Sequence, residues 1–489
     1  MHSSLSNISK KGVLAFAASL LTLGMVITGC TSLLTSTSIT SNIIPNTNTS
    51  TSPVRITDAP SDQVLAASLT LNSMVLTDNT GKVTTNLVPS SGLTFEATHL
   101  DAVQEPLFSP AIPKDTYVSV TLIYSNAQVA YYDPATHTVD VVTATLANTT
   151  QTITFAAPVT IDDNTTSLLL DFLVGRAGVI TISGSTVTVS PQFAVAAVPI
   201  PNSPTNGTNG LLTGHKGKVT AISASTNSFT MTDPAGTAMT IYVNAATVYQ
   251  GISNFAALQV NALVEVDTVT VNGNGVLPKG SLLALRVDVE DTGTTPKKLL
   301  IGPVTSRTPT ATGTPATSFN MLIRQLVGNS SATAVETVNV SVTGATNFLM
   351  PPRFTALATA LPFAPSFTSS TIFAGQHVAV LTTGVTSGAA TATTVLLQPQ
   401  TISGTVTNIT ILPTYHVYTV TLPSGSWLAS ITGQSTVLVY TNGSVVPLTT
   451  APTVTGATIF RFNGYLFNDS GTLKMLACVQ AGAPGSPFI

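Results

Sequence analysis

A three-fold internal repeat constrains this chain more than any other feature. Gly217-Lys218-Val219-Thr220, Gly302-Pro303-Val304-Thr305 and Gly404-Thr405-Val406-Thr407 each open a unit. An aromatic residue follows in the next strand: Phe229, Phe319 and Tyr418. Alternating strands come after it, around Ile241 to Val243, Val338 to Val340 and Val437 to Val439. Later strands match as Leu263 to Val266, His377 to Val380 and, less closely, Ile459 to Phe462. A last strand aligns Ala284, Ala392 and Met475, and three residues on Val287, Val395 and Cys478. Alternation with a period of two is strand patterning. Five or six strands are too few for an open sheet to cover its edges, so each unit is expected to close into a small OB-like barrel. The units occupy 214–292, 301–399 and 401–481. Cys478 aligns with two valines, which predicts a small buried hydrophobe rather than a reactive thiol.

The composition agrees with an all-β reading. Thr supplies about a sixth of the 489 residues, and charged residues only 8%, against about 25% in ordinary domains. Thr and Val suit a pleated, half-buried surface, while the helix formers Glu and Lys are scarce. Residues 55–198 show the same alternation, with turns at Asp78-Asn79-Thr80-Gly81, Asp133-Pro134 and Ser183-Gly184. Short strands at this spacing predict a β-sandwich. The Pro-, Gly- and Asn-rich segment 199–213 reads as a linker. The fold class is therefore all-β, an N-terminal β-sandwich followed by three barrel-like repeats.

The N-terminus carries an address. Lys10 and Lys11 precede an apolar run from Val13 to Ile27, then Thr28, Gly29 and Cys30. A basic start, a short apolar run and small residues form an export signal, and the run is short of the roughly 20 residues of a membrane span. Ile-Thr-Gly-Cys resembles the lipobox of bacterial lipoproteins. The resemblance implies a signal peptide over 1–29, lipidation of Cys30 and a membrane contact made through that lipid. Thr31, not Asp, follows the cysteine, which by the lipoprotein sorting rule implies the outer membrane. Residues 30–54, rich in Ser, Thr and Asn, are expected to form a flexible tether.

Two further resemblances cover most of the remaining chain. Arg55-Ile-Thr-Asp-Ala-Pro-Ser-Asp62, Ile112-Pro-Lys-Asp-Thr-Tyr-Val118 and Leu168-Leu-Leu-Asp-Phe172 resemble the bacterial domain of unknown function 4382. Asp115 stands where that family usually has Gly, and Leu173 follows Asp-Phe. The repeats are similar to domain of unknown function 5666, with G-x-V at the start, V-G-D-x-V-x-V in the middle and A-x-x-V at the end. Asn261 and Gly375 stand at the central glycine. Both resemblances imply exported β modules and carry no catalytic residue.

Few residues suggest chemistry. The net charge of −3 without a basic stretch gives no footprint for nucleic acid. His2, His99, His137, His215, His377 and His416 have no zinc spacing, and no G-x-S-x-G elbow occurs. No cofactor is expected. Asp58 and Asp62 are candidates for calcium at a domain edge, although no D-x-D-x-D-G loop is present and Asp58-Ala-Pro also reads as a turn. Glu265, Asp267, Asp288 and Glu290 would share one outer face if their strands pair, read as a solvated face. Trp427, Tyr131, Tyr132 and Tyr415 are the candidates for stacking on sugar rings. An apolar insertion over 348–373 in the second repeat either packs on a neighbouring barrel or offers a contact surface, with Phe354, Phe363 and Phe367 as partner-contact candidates. The leading expectation is a non-enzymatic envelope or cell-surface protein that scaffolds or binds. A polysaccharide-binding lipoprotein and a secreted hydrolase are the alternatives.

Overall fold

The computed structural model describes residues 43–44, 46–58, 62–100, 104–163, 166–200, 211–272, 277–295, 297–311, 313–328, 335–351, 354, 357–358, 360–443, 445 and 459–481. The export signal, Cys30 and most of the tether lie outside these residues, as do 201–210 of the linker. The tether expectation meets a limit at its far end. Thr49–Thr51 is a strand paired with Ala111–Pro113, and Ile44 and Ser52 are buried. The buried Ile44 and the pairing with Ala111–Pro113 fix this Thr-rich stretch.

In the N-terminal module one sheet has the order Thr150–Ile161, Asp115–Asp133, Ala66–Asp78, Leu93–Glu96. The other has the order Phe193–Pro199, Thr166–Phe172, Val54–Asp58, Glu105–Phe108. Ile56, Leu69, Met74, Leu122, Leu168 and Phe172, drawn from both, share one buried cluster, the packing of a sandwich. The motif residues are structural. Asp58 Oδ1 accepts the Val174 amide at 3.0 Å, and the Tyr117 hydroxyl donates back to the Pro113 carbonyl at 2.6 Å. Phe172 stacks on Phe193 with ring centroids 4.8 Å apart.

Each repeat closes on itself. In the first, Ala238–Tyr242, Ser228–Thr232, Leu211–Ser223, Leu263–Asn272 and Lys279–Asp291 are neighbours in turn, and the last returns to the first through Ile241↔Leu282. In the third, Gln400–Ile411, Tyr415–Thr421, Thr436–Asn442, Thr472–Ala481 and Ile459–Asp469 form a closed barrel. The second follows the same plan with its closing strand in two pieces. Ala389–Thr391 pairs with Glu336–Ser341, and Thr394–Leu397 with His377–Thr382. Phe229, Phe319 and Tyr418 are fully buried.

The repeat signature has a steric cause. A Cβ on Gly217 would lie 3.0 Å from the Thr232 carbonyl oxygen, and one on Gly404 would lie 2.5 Å from that of Thr421. On Gly302 it would drive into the Leu322 carbonyl oxygen, the deepest clash of the three. A bulge follows each time, between Val219 and Ala221, Val304 and Ser306, and Val406 and Asn408. The glycine admits the neighbouring strand, and the bulge then bends the first strand around the barrel. Asn261 and Gly375, at matching places in the first two repeats, both have positive φ, 73° and 101°. That left-handed conformation is why Gly or Asn is needed there.

Cys478 departs from its repeat alignment. Asn463 pairs with Val479 and Gly464 with Ala477, so Cys478 is the extra residue of a bulge. It is half-buried and packs against the cluster shared by the second and third repeats instead of lying inside its own barrel.

The described part of the insertion packs against the neighbouring third barrel, one of the two outcomes expected of it. Phe354 and Phe367 are 6% and 4% exposed. Phe354 meets Tyr465 and Phe467 at 5.8 and 5.6 Å between centroids, and Phe363 meets Tyr440 at 5.1 Å. The Lys474 ammonium lies 4.8 Å from the Phe363 ring centroid. Large apolar side chains such as Phe348, Phe354, Leu357, Phe363 and Phe367 pack into one cluster with Tyr415, Tyr440, Tyr465 and Phe467, a burial that outweighs the ordering of a long loop.

Candidate functional site

The charged residues, scarce in this chain, meet where the four modules touch. Strand Leu93–Glu96 and the 3₁₀ turn Thr98–Leu100 set Glu96 and His99 three residues apart. Glu96 Oε1 accepts the Ala67 and Thr98 amides, both at 2.9 Å, and the Thr98 hydroxyl at 2.6 Å. Its Oε2 lies 3.1 Å from His99 Nδ1, and His99 Nε2 lies 3.1 Å from Glu105 Oε2. The same Glu105 oxygen is 3.6 Å from Nδ1 of His215, which belongs to the first barrel. The imidazole of His99 thus stands between two buried carboxylates with both ring nitrogens engaged.

The barrels supply the remaining walls. The hairpin turn at Asp233 is held by its own carboxylate, which accepts the Thr237 amide at 2.7 Å. From the second barrel, Arg324 Nε donates to the Leu65 carbonyl at 2.5 Å. His377 Nδ1 donates to the Pro399 carbonyl at 3.0 Å, and Gln400 accepts the His377 amide at 2.8 Å. From the third, the Trp427 amide donates to the Asp62 carbonyl at 2.8 Å.

Two small cavities share His99 and Arg324. One, of about 50 Å³, is lined also by Glu96, Glu105, Asp233 and Gln325. The other, of about 60 Å³, is lined also by His377, Gln400, Trp427 and Asn463. About 10–15 Å³ of such space admits one water, so each has room for a few waters.

Protonation follows burial and neighbours. Burial alone would raise Glu96 and Glu105, but His99 and its hydrogen bonds outweigh it and hold both below the usual carboxylate range. Burial opposes the charge on His99, yet Glu105 and Glu96 lift it to about 9. Asp233 is raised by burial to about 6 against the pull of His215. Burial and nearby cations hold His377 well below its ordinary value.

The sequence candidates fall elsewhere or take other roles. Asp58 is committed to Val174. Asp62 faces the Ser403 backbone and Arg461, and burial raises it to about 7. Among the described residues no group of three His, Cys, Asp or Glu side chains is placed to hold a metal ion. Glu265 does pair with Asp288 across two strands, but the face is not solvated. All four acids are half-buried, Lys216 Nζ reaches Glu265 at 2.7 Å, and Arg286 is bonded to Asp288. Tyr131 and Tyr415 are buried, and Tyr132 and Trp427 half-buried. The four do not present a shared exposed face.

Sequence reasoning missed the junction itself. One signal was available: with so few charges, Glu96, His99 and Glu105 fall within ten positions, and His215 and Lys216 are adjacent.

The architecture defines an all-β protein built from a sandwich and three barrels. Residues 216–288, most of the first barrel, match the family described as "Domain of unknown function (DUF5666)". No curated protein matches the chain.

Proposed function

We propose that this chain is a non-enzymatic, lipid-anchored protein of the bacterial cell envelope, whose β modules form a structural or binding scaffold at the outer membrane. One observation supports the reading: the His, Glu and Asp side chains at the module junction are engaged with one another or with backbone amides rather than left open to a substrate. Both ring nitrogens of His99 are engaged by carboxylates, and the cavities beside it, about 50 and 60 Å³, have room for a few waters. The anchor rests on Cys30 and its resemblance to a lipobox. The N-terminal module is of the kind called domain of unknown function 4382, a reading supported by the structural use of Asp58, Tyr117 and Phe172.

The test is expression of the full chain and of Cys30→Ala in a bacterium fed labelled palmitate, followed by membrane fractionation. The parent chain should take up label and sediment with outer membrane, and the variant should do neither. A variant that still fractionates with lipid overturns the anchoring. Selective retention of the protein on a glycan array would instead favour the polysaccharide-binding alternative.

A further inference from the structure

We infer that Arg55, with the Thr268 and Thr270 hydroxyls, forms a buried site for a compact inorganic anion such as a halide, between the sandwich and the mouth of the first barrel. This does not depend on the anchoring or the scaffold role proposed above.

Arg55 supplies the charge. Strand Val54–Asp58 sends Val54 and Ile56 into the sandwich core, so alternation puts Arg55 on the other face of the sheet. There it is 0% exposed, and its Nε, Nη1 and Nη2 have no hydrogen-bond partner among the described residues. Burial lowers it only to about 10, so it is a cation at neutral pH. The acids on the flanking strands serve other groups. Glu105, beside the Pro106 that pairs with Arg55, is shared by His99 and His215. Asp171 stands opposite Thr57, not Arg55, and the cation acting on it is Arg461.

The first barrel covers this face at two contacts that bracket Arg55. A Cβ on Gly280 would lie 3.2 Å from the ring of Pro53, two residues before Arg55 on the same strand face. On the other side His215 reaches Glu105 at 3.6 Å. The barrel end between these contacts is polar within. Thr268 pairs with Leu212 and Ala284, and Thr270 with Leu282. Both continue the inward row of Val264 and Val266. They are 1% and 0% exposed, and their hydroxyls have no hydrogen-bond partner among the described residues.

These groups share one need. A guanidinium offers five N–H donors and each threonine an O–H. Arg55 donating to the hydroxyls would leave its charge uncompensated, and an unpaired buried ion is costly. An anion accepts from all three groups and cancels the charge. Side chains so deeply enclosed favour a small ion over an organic acid with a bulky tail.

The test uses the full chain, with sodium gluconate replaced stepwise by sodium bromide at constant ionic strength. Hydrogen exchange of Val54–Asp58 and Leu263–Asn272 should slow with bromide, approaching tenfold per tenfold rise once the site fills. Tyr415–Thr421, in the third barrel, should not respond. Crystals grown in bromide should show an anomalous peak beside the Arg55 guanidinium. Arg55→Met, of similar length and uncharged, should lose the response and the peak, and in gluconate its protection should at least equal that of the parent. The Thr268→Val, Thr270→Val double variant should need about tenfold more bromide, a hydrogen bond to an ion being worth at least that factor. That variant and the peak decide the matter even if Arg55→Met does not fold. Gluconate protecting as well as bromide, an Arg55→Met chain that responds like the parent, or no bromide at Arg55 overturns the site.

Discussion

Gly302→Ala should unfold the second barrel far more readily than the matching changes unfold its sisters. The three glycines share a position but not a clearance. At Gly217 the added methyl meets the Thr232 oxygen and the Met231 side chain at 3.0–3.1 Å. A methionine tip moves easily. Loss of the glycine's unfolded-state freedom contributes about 0.4–1 kcal/mol in favour of Ala, so the net change at 217 should lie within about 1 kcal/mol of zero. At Gly404 the Thr421 oxygen and Val420 Cγ1 both stand at 2.5 Å. A valine in a packed barrel gives way less, and a cost of about 1–3 kcal/mol is expected from overpacking. At Gly302 the obstacle is backbone alone, the Leu322 carbonyl with Arg324 N behind it at 3.3 Å. Relief there requires separating two paired strands, with a cost of at least about 3 kcal/mol. A chain of four modules does not unfold in two states. The assay is therefore hydrogen exchange of Ser228–Thr232, Ser318–Ile323 and Tyr415–Thr421, the second strand of each barrel. Protection should fall in the order 302, 404, 217. Equal protection in all three variants, or a Gly302→Ala barrel as protected as the parent, would refute the steric account of the repeat signature.

Stability should peak at mildly acidic pH. Asp62, Asp288 and Glu290 are raised by burial to about 7, and Asp233 to about 6. The folded chain therefore holds protons that the unfolded chain releases above about pH 4, and stability falls as pH rises from there to about 7. Glu96 and Glu105 act oppositely, their contribution being lost as pH drops below the ordinary carboxylate value. Calorimetry should give a higher Tm at pH 5.5 than at 7.5, and a lower one would contradict the burial of these acids. The Asp288→Asn, Glu290→Gln double variant should flatten the slope between those values. For the insertion, Phe354→Ala should destabilise the packing between the second and third barrels by about 3–5 kcal/mol, as for a buried ring. A change under about 0.5 kcal/mol, typical of a surface site, would return Phe354 to the role of an exposed contact.

The barrels could be read from the sequence because their determinants are local and occur three times. A glycine that must admit a strand and an aromatic in the next strand mark all three units at a fixed spacing, and a left-handed turn at Asn261 and Gly375 marks two of them. Cys478 shows where such reading stops. Its alignment with Val287 and Val395 is correct by count, but one bulge shifts it out of the barrel interior, and nothing in the sequence of Thr472–Ala481 marks that bulge. The insertion shows a second limit. The many large apolar residues of 348–373 declare that a surface will be covered, yet Tyr415, Tyr440 and Tyr465, which most of them pack against, look in sequence like ordinary strand residues.

The junction was illegible for a deeper reason. Glu96, His99 and Glu105 are neighbours along the chain, but His215, Asp233, Arg324 and His377 reach them only when separate barrels dock. No periodicity relates these residues, since each occupies a different place in its own module. Scarcity of charge was the remaining clue, and it acts physically as well as statistically. A surface of Thr, Ser and Asn gives modules of similar shape no means of telling one neighbour from another. The few ionised groups then set the register, because a misdocked second barrel would bury Arg324 away from the Leu65 carbonyl and the Glu96 charge, and an ion buried without partners costs several kcal/mol. On this argument the charges at the junction specify how the modules meet more than they stabilise the meeting, and replacing Glu96, His99 and Glu105 together by apolar residues should preserve each barrel while loosening their arrangement.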